Sequence, residues 1–129
     1  MSPAINLVAL VAATIELGLC GYYYCAAYDT ARDYLPDPLR GRMSTRFVLD
    51  RFIFRPAVPQ AARHNYLVAH VFGCLAFVSL AIVAFASGPP AGGYAFAALA
   101  LLALGQTFMH WRKDSRLRHA KVSPTVTAP

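Results

Sequence analysis

Three stretches of this sequence, Ala4 to Tyr24, His64 to Ser87 and Gly92 to Trp111, each run for 20 residues or more with almost no charge. About 20 mostly apolar residues are what a helix needs to cross about 30 Å of hydrocarbon. Glu16 is the one acid in the first stretch, and the other two contain no Asp, Glu, Lys or Arg. Composition agrees: 57% of residues are hydrophobic and 14% charged, whereas a soluble domain carries about 25% charged residues to face water. Three cysteines are an odd and sparse set for a disulfide scaffold. The expected fold class is therefore an all-α integral membrane protein, with three transmembrane helices and a short amphipathic interfacial helix in the first cytoplasmic loop.

The charges fall in two blocks. Arg32, Arg40, Arg42, Arg46, Arg51, Arg55 and Arg63 lie around the loop between the first two spans; Arg112, Lys113, Arg116, Arg118 and Lys121 follow the third. Together they are every Lys and Arg in the chain, and the positive-inside rule puts both blocks on the cytoplasmic side, with the N-terminus outside. The expected location is a bacterial inner (plasma) membrane. The first span is read as retained: no Lys or Arg precedes Ile5, and bulky Leu19 stands where a lipoprotein-type cleavage site before Cys20 wants a small residue. Residues 1–121 then form one membrane domain with a cytoplasmic loop over 28–63, and the Pro-, Ser- and Thr-rich tail 122–129 is expected to be disordered.

Within the loop, Tyr34-Leu35-Pro36-Asp37-Pro38 should stop any helix leaving the first span. Beyond it, Arg46 to Arg55 reads as an imperfect amphipathic helix closed by Pro56 and Pro59. Val48, Leu49, Phe52 and Ile53 fill one arc, and Arg46, Asp50, Arg51 and Arg55 share the other with Phe47 and Phe54. Such a segment beside a membrane lies in the headgroup layer. Phe47, Arg51, Phe52, Phe54 and Arg55 are the expected contacts with a partner protein or with anionic lipid headgroups.

An acid inside a span costs about 2.5–3.5 kcal/mol on the insertion scale, so Glu16 should face protein or water and have a partner. Centring each apolar run on the midplane puts Cys20 level with His70 and Glu16 level with Cys74, with Gln106 in the same half of the membrane. Glu16, Cys20, His70, Cys74 and Gln106 are thus a candidate intramembrane polar cluster. Its plainest form is a neutral Glu16 carboxyl donating a hydrogen bond to His70, Gln106 or a partner subunit; a proton relay or a cofactor-holding site is the functional form. The ligand types would suit Zn or Cu, but no dense metal motif such as CxxC is present, and no catalytic residue or cofactor is assigned. Gly18, Gly73, Gly105 and the alanines of the third span allow close helix approach.

Arg63-His64-Asn65-Tyr66, where the basic loop enters the second span, resembles the membrane glutathione-transferase-like (MAPEG) proteins over that junction alone. Val68 stands where that family carries a glutamate, and no activity is carried over. The leading expectation is a small noncatalytic accessory subunit of a larger membrane complex, docking by its helices and basic loop on other membrane subunits or on itself. Nucleic acid is not an expected partner, since the positive charge sits where topology places it. The alternatives are a proton-relay, cofactor- or metal-binding component centred on Glu16 and His70, and a homo-oligomeric transporter or channel with Glu16 repeated around an axis.

Overall fold

The computed structural model describes residues 3–37, 40, 49–88 and 90–122. Three long helices follow one another: α1 (Pro3–Ala31), α2 (Gln60–Ser87) and α3 (Pro90–Val122). All three are long and apolar enough to cross a membrane, and no strand occurs among the described residues.

Prolines set the boundaries. Pro59 precedes α2 and accepts its first bond, Arg63 N to Pro59 O at 3.4 Å; Pro90 opens α3, where its missing N–H has no helical partner to lose. α1 ends in a single 3-10 turn, Arg32–Tyr34, and extended Leu35 follows before Pro36. This is where the Tyr34-to-Pro38 stretch was expected to stop it. Where α3 starts back along α2 the two helices are close: Phe85 lies so near Gly93, in the first turn of α3, that a Cβ there would run into its ring.

Both outer helices exceed their apolar runs. α1 continues past Tyr24 to Ala31, and α3 carries the second basic block as helix to Val122. No Gly or Pro interrupts 113–122, and Lys, Arg, Leu and Ala are good helix formers.

Packing differs along the bundle. In the apolar part the buried residues are mostly small, Ala13, Ala69, Ala76, Ala81, Gly93 and Ala100, with Leu67 the one large side chain among them; small residues bring backbones close. Other large side chains face outward: Leu7, Val8, Leu101 and Leu102 are among the most exposed, as in a bundle whose solvent is lipid. The basic end is built the opposite way. There Ala27, Tyr28 and Ala31 of α1 meet Ala62 and Tyr66 of α2 in one buried cluster, which Leu35, Leu49, Ile53 and Val58 of the loop complete.

That cluster changes the reading of the loop. Phe47, Val48 and the rest of 41–48 lie outside the described residues, as do 123–129 of the expected disordered tail. Residues 49–51 form one 3-10 turn that runs into further turns as far as Val58, not a continuous surface α-helix. Leu49 and Ile53 are wholly buried against α1 and α2. Leu49 and Ile53 of the apolar arc are therefore spent on the chain's own core. Phe52 and Phe54 pack against the same core, while Arg51 and Arg55 stay exposed, Arg55 lying 4.6 Å from the Phe52 ring centre.

One ion cluster joins α2 to α3 at this end. Arg63 and Asp114 are almost completely buried, and Arg63 Nε donates to Asp114 Oδ1 at 2.7 Å. Arg63 Nη1 also donates to Val58 O at 2.7 Å, and Arg118 pairs with the second Asp114 oxygen. Removing one partner of a buried pair typically costs about 3–5 kcal/mol, because the other charge stays buried alone. Asp114→Ala should accordingly lower the thermal unfolding midpoint in detergent far more than Asp37→Ala, whose Arg40 pair is exposed. Circular dichroism melting of the two variants measures the difference, and equal midpoints would show that the buried pair does not hold the end together.

Candidate functional site

The five residues of the expected polar cluster occupy four places. Glu16 accepts a hydrogen bond from Ser79 Oγ at 2.9 Å, across the α1–α2 contact. Cys20, one turn on, lies beside Gly73, where an added Cβ would come 3.5 Å from its sulfur. Cys74 turns the other way and donates through its thiol to Ala100 O on α3 at 3.5 Å. His70 and Gln106 line a cavity at the basic end. Ser79 and His70 are nine residues apart on α2, about 13 Å at 1.5 Å per residue, so Glu16 and His70 do not meet.

The register has a physical cause. Asn6 Nδ2 donates to Ser87 Oγ at 3.0 Å, and Glu16 accepts from Ser79. These polar groups align α1 and α2 by finding each other, about one turn away from the alignment that centring the apolar runs gives. In an apolar surrounding an unmade hydrogen bond is the larger loss, so polar pairs decide the register.

The basic-end cavity, of about 410 Å³, is the richest arrangement of chemistry among the described residues. His70 and Gln106 are joined there by Tyr24, Tyr66 and His110, with Asp50, Met109 and Lys113 completing the lining. Its wall is an aromatic ladder. The His70 and His110 rings are nearly parallel, with centres 5.0 Å apart and planes at 16°; Phe54 stacks on the far side of His110, again at 5.0 Å and at 11°. Tyr66 stands edge-on to both imidazoles, at 4.5 Å from His70 and 5.4 Å from His110, and Tyr24 is tilted over Tyr66 at 5.7 Å.

His70 Nε2 and His110 Nδ1 are buried with no hydrogen-bond partner among the described residues. Stacked rings turn their faces, not their nitrogens, to each other, and no group of three or more His, Cys, Asp or Glu able to hold a metal occurs among the described residues. Donors, acceptors and one charge of each sign do converge there, which equips the cavity to bind a polar group. Phe54 belongs to the ladder, where it was expected as an outward anchor. Tyr24, Tyr66, His110, Asp50 and Lys113 escaped the sequence reading as a group because each alone reads as an interfacial residue.

No protein family, curated protein or solved structure matches the chain. The functional argument rests on its own geometry.

The Glu16–Ser79 bond carries an expectation of its own. Glu16→Gln keeps an acceptor for the Ser79 hydroxyl and should leave the melting midpoint in detergent nearly unchanged. Glu16→Leu removes the acceptor, at a cost averaging about 0.6 kcal/mol for interhelical hydrogen bonds in membranes, small because a helical serine can turn back to its own backbone. A larger loss in Glu16→Gln than in Glu16→Leu would contradict this.

Proposed function

We propose that the chain is a small noncatalytic subunit of a larger membrane protein complex in the bacterial inner membrane, with the basic end in the cytoplasm. The supporting observation lies on α1. Thr14, Gly18, Gly21 and Cys25 follow one another at intervals of 4, 3 and 4 residues, and all four are exposed on the outer side of the bundle. A Cβ on Gly18 or Gly21 would meet nothing within 4 Å. Thr14 is already satisfied by Leu10 O at 2.9 Å, so the stripe presents small, internally satisfied residues to whatever lies outside. Small residues at this spacing let a second transmembrane helix approach closely, and in lipid it is such packing that drives helix association.

The packing fits the same role: the apolar part buries mostly alanine and leaves its large side chains exposed. Docking through α1 leaves the basic end, with Arg51, Arg55, Arg112 and Lys113 exposed, free to face anionic headgroups or a cytoplasmic partner.

Gly18→Leu and Gly21→Leu test the assignment. Both fill open space in the isolated chain, so stability should stay within about 0.5 kcal/mol of the parent, while the proteins that co-purify in mild detergent should be lost. Quantitative mass spectrometry of what each variant retains is the measurement. Unchanged co-purification would remove α1 as the docking face, and retention of only second copies of this chain would assign the stripe to self-association. For the orientation, alkaline phosphatase fused after Pro129 should be inactive, and an active fusion would place the basic end outside.

A further inference from the structure

The seam between α2 and α3 holds two hollows of opposite character. One is an open apolar groove of about 380 Å³, bordered by Val78, Ile82, Phe85, Leu101 and Leu104, with Cys74 at its lower edge. The other is the polar cavity of about 410 Å³ at the basic end. They meet within one helical turn on both helices: His70 is four residues from Cys74, and Gln106 two from Leu104. The border residues of the groove are exposed on the outer surface, where acyl chains would surround them. An apolar channel that ends in a polar cavity beside basic residues and tyrosines has the shape of an amphiphile lying along a membrane protein at headgroup level.

The cavity lining specifies the head. Asp50 supplies a carboxylate that is exposed and makes no ion pair among the described residues. Lys113 supplies an ammonium whose nitrogen lies 5.9 Å from the Phe54 ring centre. Among the described residues Lys113 is the one Lys or Arg that lines the cavity; Arg63 is held by Asp114 and Val58, and Arg55 lies over Phe52. The cavity lining thus offers one carboxylate and one ammonium, together with the Gln106 amide and two tyrosines. A purely anionic head would meet Asp50 unfavourably, and an uncharged head would leave both charges unanswered. A zwitterion answers both: its ammonium fits Asp50 and the faces of Tyr24 and Tyr66, and its phosphate fits Lys113 and Gln106.

We propose that the α2–α3 seam binds one zwitterionic phospholipid of the ethanolamine type, its head between Asp50 and Lys113 and an acyl chain in the groove above. This rests on different residues from the α1 docking face: the groove is lined by α2 and α3, and Tyr24 is the one cavity-lining residue from α1, outside the Thr14–Gly18–Gly21–Cys25 stripe.

The test uses the full-length chain in detergent, stripped of lipid and titrated with dioleoyl phosphatidylethanolamine, dioleoyl phosphatidylglycerol or dioleoylglycerol, with native mass spectrometry counting bound molecules. The expected result is one phosphatidylethanolamine per chain, bound about tenfold more tightly than phosphatidylglycerol, the scale of one charge-assisted contact. Asp50→Asn should abolish that preference, and Lys113→Gln should weaken both phospholipids about tenfold. Both side chains are exposed, and an unchanged melting midpoint confirms that each variant is folded. Equal binding of the two phospholipids by the parent chain, a preference for phosphatidylglycerol, or dioleoylglycerol binding as tightly as phosphatidylethanolamine would each overturn the proposal.

Discussion

The buried pair of Arg63 and Asp114 organises the end of the molecule where its chemistry lies. Arg63 sits at the first turn of α2, tied to Asp114 of α3 and to the Val58 carbonyl of the loop at once. Taking two charges out of water is expensive, and a pair of this kind is weak evidence for net stability. Its consequence here is positional. With Arg63 against Asp114, the next turns inward bring His70 of α2 against His110 of α3, and the loop is drawn in far enough for Phe54 to stack on His110. The ladder and the cavity beside it follow from where that one pair closes.

Two packing regimes meet in the bundle, each suited to a different solvent. Where the helices are apolar, alanines bring backbones together and the large side chains face outward, a pattern compatible with a lipid surround, which gives no reason to hide them and leaves association to close fit. At the basic end water is available, and burying aromatic and branched side chains is again favourable. Leu49, Ile53 and Val58 accordingly fold inward there. A single amphipathic segment can face lipid or protein. In this chain its apolar residues go to protein because the ends of α1 and α2 present Tyr28, Ala31, Ala62 and Tyr66 as a ready surface.

Much of the architecture is legible in the sequence. Three apolar runs of 20 residues or more leave few options other than three long helices, and the charge blocks mark one end of the bundle. What periodicity cannot supply is helix rotation and register. Glu16 stands out as the lone acid of a span, yet its partner is Ser79, a residue too ordinary to draw notice. His110 and Tyr66 each have a sufficient explanation as interfacial residues, and only their stacking with His70 makes them a site. Arg63 and Asp114 read as members of charge blocks, although both are buried; nothing in their neighbours along the chain distinguishes them from Arg116 or Asp33, which are exposed. Long-range pairing decides these roles, and local pattern is blind to it.

Which polar groups are satisfied says more about function than how deep they lie. Glu16 is answered by Ser79, Cys74 by Ala100 and Thr14 by Leu10, all within the chain. A polar residue whose bond is made internally has its structural reason and asks for no ligand. Among the described residues the buried atoms left over are Asn6 Oδ1, at the opposite end of the bundle, and His70 Nε2 and His110 Nδ1, which share one cavity at the basic end with the exposed Asp50 carboxylate. Buried polar atoms without partners are costly to keep. Two of these three atoms lie on one cavity while Glu16, Cys74 and Thr14 pair off, so among the described residues the unanswered chemistry gathers mainly at the basic end of the bundle and not at the middle of its helices.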